Sequence, residues 1–198
     1  NVRYESLSGT EVKQDFVELP SQIMEHWAIE PDVLRSYARH FETDEVIPEE
    51  LIARLRAASK FNTGFATTEY LAACFLDMAW HGENATDIED VPAFEEAIAH
   101  QIGNTTVVDP RYKSSYFQHI FSDDHYSAGY YVYIWAEVLD ADAFERFEEE
   151  GLFNPKVAAD FALILQSGGT VAPDELYRKF RGRDPKVDAL IKRAGISA

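Results

Sequence analysis

Acidic and amide side chains follow one another at helical spacing along the apolar stretch "DFVELPSQIMEHW", residues 15–27. Asp15, Glu18, Gln22 and Glu25 share one face of a helix at about 100° per residue, and bulky apolar side chains cover the other face. The row has no lysine or arginine, which a solvated helix face normally mixes in. A carboxylate beside apolar walls is typical of a divalent-metal ligand, so Glu18 is the candidate ligand and the other three are candidate supporting groups. A solvated helix face is the alternative.

A second candidate site lies in "SSYFQHIFSDDHYSAGYYVYIWAEV", residues 114–138. With a helix from about Ser127, four side chains share one narrow face: Tyr126, Tyr130, Tyr133 and Glu137. A phenol carries a donor that needs an acceptor, so this row indicates a wet cleft where a hydroxyl can donate to a developing oxyanion. His119 is a candidate second donor. A packed core for the tyrosines and an ordinary role for His119 are the alternatives.

Helices have to position both sites, because apolar residues recur at i, i+3, i+4 and i+7 and strand signals are missing. The predicted helical segments are 15–28, 32–41, 48–61, 67–81, 91–102, 127–150, 156–167, 172–182 and 185–195. Pro20 removes an interior hydrogen bond, so we expect a first turn or a kink near Glu18. Only residues 1–10 and 104–109 are candidates for short extended pieces. The prediction is an all-α chain, with a single helical region over residues 1–198.

The composition is that of a folded domain and limits its partners. The 198 residues are 46% apolar, enough for a sizeable core, and the net charge of −17 argues against nucleic acid or an anionic membrane. No apolar run approaches the about 18 residues that span a bilayer. A lone Cys74 excludes an internal disulfide and a CxxC motif. The chain also lacks HExxH, a Gly-rich phosphate loop and GxSxG, so it has no complete catalytic motif of its own.

Two long motifs, "YESLSGTEVKQDFVELPSQIMEHWA" and, far downstream, "YFQHIFSDDHYSAGYYVYIWAEV", closely resemble the M3 family of zinc metallopeptidases. This is the thimet oligopeptidase and bacterial peptidyl-dipeptidase group. The resemblance extends to "LYRKFRGRDPKVDALIKRAGI", which is similar to the family's C-terminal helices. It implies the C-terminal, helical part of a catalytic domain that hydrolyses short peptides in a deep channel.

The resemblance also implies a Zn²⁺ cofactor. In the family an HExxH helix supplies two histidine ligands and the catalytic glutamate, and a third ligand, a glutamate, follows about 25 residues later. Glu18 in "DFVELPSQ" matches that third ligand, with Asp15, Gln22 and Glu25 as supporting or packing groups. Because 17 residues precede Glu18, we expect the HExxH just before Asn1. The zinc site is then incomplete in this chain, which by itself is expected to be inactive.

The same resemblance implies roles for the second stretch. Tyr133 matches the oxyanion-stabilising tyrosine, His119 the catalytic and substrate-contacting histidine, and Tyr126 the tyrosine of a flexible loop; Tyr130 is a further substrate-binding candidate. Family members carry a glycine-rich loop between that histidine and tyrosine, whereas this chain has "IFSDDH", longer and without glycine. The difference leaves open the mobility of the loop, the place of Tyr126 and which end of the substrate is recognised.

The expected partners are short peptides and a missing N-terminal part of the same polypeptide, with self-association of the fragment, and neither nucleic acid nor a membrane. The expected location is the cytoplasm, with the periplasm or export left open. Two alternatives also stay open: a free-standing helical peptide-binding module without catalysis, and a structural helical domain with no site. The preferred peptide, the choice between dipeptide release and internal cleavage, and the origin of the fragment are not fixed by the sequence.

Overall fold

The computed structural model describes residues 2–82, 85, 87–103 and 108–196, and the protein is all-α, as the sequence predicts. The helices are α1 (Leu19–Ala28), α2 (Pro31–Tyr37), α3 (Glu49–Ala58), α4 (Thr63–Trp80), α5 (Val91–Gln101), α6 (Gln118–Phe121), α7 (Val132–Glu150), α8 (Pro155–Ser167), α9 (Pro173–Arg181) and α10 (Asp188–Arg193). Short 3-10 helices lie at Glu5–Leu7, Gln14–Phe16, Ser114–Tyr116 and Gly168–Thr170. Within the described ranges there is no β-sheet, only an isolated antiparallel bridge between Arg39 and Val46. In those ranges, no helix combines the length and the apolar composition that a membrane span needs.

The helix predicted over 15–28 is wrong in its first residues. The chain instead forms the 3-10 helix Gln14–Phe16, and α1 begins at Leu19 with Pro20 in its first turn. A proline is favoured there because the first N–H groups of a helix have no partner within the helix. The first turn expected near Glu18 is therefore confirmed.

The helix predicted from about Ser127 begins later, at Val132. Ala128 has a φ of +55°, a left-handed conformation that a right-handed helix does not contain. The predicted start is therefore wrong, and Tyr126 lies in a loop. Of the predicted extended pieces, 104–107 lie outside the described residues, and the segment before residue 10 contains a 3-10 helix flanked by extended Tyr4 and Ser8.

One compact unit consists of Asn1–Phe61 and Ile134–Ala198. Its core is built from Phe16 of the 3-10 helix Gln14–Phe16 and from the apolar faces of α1, α7, α8 and α9. The buried members on these four helices are Leu19, Ile23, Leu139, Ala143, Phe144, Phe147, Val157, Phe161, Ile164, Leu176, Tyr177 and Phe180. This unit contains α1 and so positions Glu18.

The other compact unit is Asn62–Tyr133. It contains α4, α5, α6 and the loop that leads to the first residues of α7. Its buried core residues are Ala73, Cys74, Leu76, Phe117, Ile120 and Tyr130, with the rings of Tyr70, Trp80, Phe94, Tyr112, Tyr126 and Tyr133 packed against them. This unit positions the candidate histidine and tyrosines.

Candidate functional site

Glu18 is the residue that caps the N-terminus of α1, and its side chain is half-buried. Its carbonyl oxygen accepts the N–H of Gln22 at 3.1 Å, so the first helical turn starts there. The Ser21 hydroxyl lies 3.0 Å from Oε2 of Glu18 and 2.9 Å from its carbonyl oxygen. A carboxylate is electrostatically favoured at a helix N-terminus. The Glu18 carboxylate is thus held at a defined place by its own helix.

The other members of the predicted row divide between two elements. Gln22 is half-buried and Glu25 is exposed, and both lie on α1 at the spacing that puts them on the Glu18 face. Asp15 is exposed and belongs to the preceding 3-10 helix, so its predicted place on the same helix face is wrong. Sequence reasoning did not single out Ser21, although a serine three residues after a carboxylate at a helix start is a signal for such a bond.

Apolar contacts fix the rotation of α1 about its axis. Leu19 and Ile23 are fully buried, and the indole Nε1 of Trp27 donates to the carbonyl oxygen of Leu152 at 3.2 Å. The Trp27 ring also meets the Phe147 ring edge-on, with centroids 4.6 Å apart. With this face of α1 in the core, the Glu18 face is directed away from it.

A buried polar group fastens the other end of α1. Asp140 on α7 is 1% exposed, and its Oδ1 lies 2.7 Å from Nε2 of His26 and 2.9 Å from Nη1 of Arg193. A buried carboxylate needs such partners because leaving water is costly for a charge. Nearby on α7, burial raises the pKa of the Glu137 carboxyl, and the charges of Arg193 and His26 oppose that shift while Asp140 and Glu25 add to it.

The second unit brings His119, Tyr126 and Tyr133 together, although no helix runs through Tyr126. Nε2 of His119 lies 3.1 Å from the Tyr133 hydroxyl oxygen. The rings of Tyr126 and Tyr133 are stacked, with centroids 5.7 Å apart and planes at 4°, and His119 meets Tyr126 edge-on at 5.1 Å. His119 is exposed and both tyrosines are half-buried. A histidine and two phenols therefore form one accessible cluster.

Tyr130 lies beneath this cluster rather than beside it. It is 4% exposed, its ring meets the Phe117 ring edge-on at 4.9 Å, and its carbonyl oxygen accepts the Tyr70 hydroxyl at 2.7 Å. Burial, with a smaller contribution from Tyr112, raises the pKa of the Tyr130 phenol well above its usual value. Tyr130 thus has the packed environment that was the alternative for the whole row, and its role in substrate binding stays a prediction.

Asp77 is a further residue of this unit that sequence reasoning did not single out. It lies on α4 inside "TTEYLAACFLDMAWH", is fully buried, and accepts backbone N–H groups from the loop that carries Tyr126. A carboxylate among apolar helix residues was the available signal.

Of the predicted site residues that the structure describes, Glu18 is suited to bind a zinc ion. Glu18 offers a carboxylate fixed at the start of α1, and carboxylate oxygen is an ordinary zinc donor. Among the residues that the structure describes, no three His, Cys, Asp or Glu side chains are grouped so that they could hold a metal. Since a catalytic zinc takes three protein ligands, these residues do not form a complete site.

Comparison with known proteins establishes the class. The family model of Peptidase family M3 matches residues 1–196. The chain is 41% identical over 198 residues to dipeptidyl carboxypeptidase of Escherichia coli (strain K12) and 40% identical over 189 residues to oligopeptidase A of the same strain. It is 29% identical over 202 residues to the thimet-like oligopeptidase of Dictyostelium discoideum.

The chain therefore belongs to peptidase family M3, and the resemblance found in the sequence is confirmed. These three matches cover 98%, 93% and 98% of this chain but only 29%, 27% and 29% of the relatives. The chain thus spans less than a third of the length of the relatives that it matches.

Proposed function

We propose that this chain is the part of a zinc-dependent M3 peptidase that supplies one metal ligand and the side chains that hold a short peptide and its oxyanion. The observation that carries the proposal is the cluster of His119, Tyr126 and Tyr133. These residues were selected as substrate and oxyanion groups from the sequence, and their side chains lie in contact.

The cluster has the chemistry for holding a tetrahedral oxyanion. Nε2 of His119 lies 3.1 Å from the Tyr133 hydroxyl oxygen. In the tautomer that carries the proton on Nε2, the Tyr133 hydroxyl donates its own proton to another acceptor. A phenol placed where negative charge develops stabilises the transition state more than the ground state. The Tyr126 ring, stacked on Tyr133, supplies an apolar wall for the peptide.

Glu18 would hold the metal through its carboxylate, with Ser21 keeping that carboxylate in place. Zinc, when bound, polarises a peptide carbonyl and lowers the pKa of water. The two histidine ligands and the glutamate base are proposed to come from an HExxH segment ahead of Asn1 in the same polypeptide. By itself, the chain is then expected to lack peptidase activity and to self-associate through exposed apolar side chains such as Phe41 and Phe61, which are 89% and 78% exposed.

The test compares this chain with a longer polypeptide that includes the upstream segment. Both are assayed on a quenched-fluorescent peptide, and release of C-terminal dipeptides from unlabelled peptides is followed separately. The longer polypeptide should cleave, should lose activity in a chelator and should regain it with Zn²⁺, while this chain should not cleave. Chelator-resistant cleavage, or cleavage by this chain alone, would contradict the proposal. Peptide binding by the longer polypeptide without cleavage would favour a non-catalytic binding module.

A further inference from the structure

The segment between α6 and α7 carries Tyr126 and leads directly to Tyr133. It has no glycine between His119 and Tyr126, and several of its polar groups form hydrogen bonds within the segment. Oδ1 of Asp123 accepts the N–H of His125 at 3.0 Å, and the Ser127 hydroxyl lies 3.2 Å from the carbonyl oxygen of Ile120. These hydrogen bonds give the loop a defined conformation. A glycine-rich loop, in contrast, is expected to be mobile.

The carboxylate of Asp77 joins this loop to α4. Oδ1 accepts the N–H of Ala128 at 3.0 Å, and Oδ2 accepts the N–H of Tyr130 at 2.8 Å. Nδ1 of His81, the residue that follows the last residue of α4, lies 2.8 Å from Oδ1. Asp77 is fully buried, and a carboxylate removed from water is stable only with such donors. The loop N–H groups and the carboxylate therefore depend on each other.

The backbone at Ala128 shows why the loop needs this attachment. Its φ of +55° is unfavourable for an L-residue with a Cβ, so the local sequence alone does not favour the conformation. Next to it, a Cβ on Gly129 would lie 3.3 Å from both the His125 carbonyl oxygen and the Cα of Tyr126. The backbone at Gly129 is thus packed closely against the backbone of Tyr126.

We propose that Asp77 is a positioning residue, which holds residues 128–130 in one conformation and thereby fixes the Tyr126 and Tyr133 rings against His119. The proposal rests on the proposed function, in which these rings contact the peptide. Asp77 itself touches no substrate in this account. Its effect on turnover passes through the loop.

Hydrogen exchange on this chain tests the attachment without any need for activity. Asp77→Asn keeps the shape of the side chain but replaces one acceptor oxygen with an NH₂ donor. Exchange at the Ala128 and Tyr130 amides should become at least about tenfold faster, while Cys74 and Leu76 on α4 stay protected. Asp87→Asn, at an exposed position, is the matched control and should change neither amide. Unchanged exchange at both loop amides would overturn the proposal.

If Asp77→Asn does not fold, amide exchange in the unaltered chain tests the attachment instead. The Ala128 and Tyr130 amides should then exchange at least about tenfold more slowly than the amide of the exposed loop residue Asp124. Equal rates at the three amides would overturn the attachment.

The link to function is tested in the longer polypeptide. Asp77→Asn should lower kcat/KM about 10²-fold through misplaced rings, with the zinc content unchanged. Ile52→Ala, a cavity variant at a buried position of α3 in the other compact unit, controls for lost stability and should leave kcat/KM within about threefold. Faster loop exchange with unaltered kcat and KM would overturn the positioning role. If the unaltered longer polypeptide cleaves no peptide, the proposed function fails while the exchange result still stands for the attachment.

Discussion

At the scale of single residues, the hydroxyl of Tyr133 separates a catalytic from a purely packing role. Tyr133→Phe in the longer polypeptide keeps the ring that stacks on Tyr126 and deletes the group 3.1 Å from His119 Nε2. Loss of one oxyanion donor typically lowers kcat about 10²–10³-fold, and we expect that result with a much smaller change in KM. The measurement is steady-state cleavage of a short quenched-fluorescent peptide at matched zinc content and melting temperature.

Tyr131→Phe is the control for this prediction. Tyr131 is 44% exposed and lies two residues before Tyr133, outside the cluster, so its variant should be nearly silent. A kcat for Tyr133→Phe within about threefold of the unaltered enzyme would remove the hydroxyl from the mechanism.

The family motifs predicted roles for His119, Tyr126 and Tyr133, and the structure brings these three side chains together while their roles stay predictions. The predicted position of Tyr130 beside them on one helix face is wrong. Its place was argued from a continuous helix, but the left-handed turn at Ala128 rotates the chain, and Tyr130 packs in the core. Asp77 escaped notice because two of its partners are backbone N–H groups more than fifty residues away along the chain, which carry no side-chain signal. The i, i+4 spacing to His81 was its one side-chain signal.

At the scale of the elements, the hydrophobic period predicted the helices well and their ends less well. Helix α5, predicted over 91–102, spans Val91–Gln101, where Asp90 accepts the N–H of Ala93 at 3.1 Å as an N-cap. The short α6 (Gln118–Phe121) was missed because four residues are too few to show a helical period. The ends of helices depend on local hydrogen bonds and backbone strain, as at Pro20 and Ala128. The spacing of apolar residues carries no information about these local features.

The packing of α4 gives a prediction about pH. Cys74 on α4 is 6% exposed, and burial raises the pKa of its thiol from 9.0 to about 12. At pH 8 the thiolate fraction in the folded chain is then about 10³-fold lower than in the unfolded chain. Alkylation by iodoacetamide should therefore be slow in the folded chain and fast in urea. A folded-state rate within about tenfold of the rate in urea would contradict the burial of this thiol.

The raised pKa of the Cys74 thiol also makes the stability of the folded chain depend on pH. Above pH 9 the unfolded chain gives up the Cys74 proton while the folded chain keeps it, so this residue's contribution to stability falls as the pH rises toward 12. Below pH 9 the thiol is neutral in both states, and the contribution is constant.

At the scale of the whole molecule, the all-α class followed from composition and period, and the family followed from two motifs far apart in the sequence. The division into two compact units did not follow. One boundary falls beside Asn62, whose left-handed φ of +56° is not evident from its neighbours, and the other falls inside the helix Val132–Glu150, where no linker composition marks it. Boundaries of this kind depend on tertiary packing, which local sequence does not specify.

The zinc content of a Glu18 variant tests the central claim most directly. In the longer polypeptide, Glu18→Gln keeps the size of the side chain and removes a carboxylate from the proposed three-ligand site, and Glu42→Gln, at an exposed position with no place in the proposed site, is the control. After dialysis against a chelator at a concentration that leaves the unaltered protein with about one zinc per chain, the Glu18 variant should have lost most of its zinc and the Glu42 variant almost none. Full zinc retention by Glu18→Gln, with the fold intact, would show that Glu18 is not a ligand and would contradict the account.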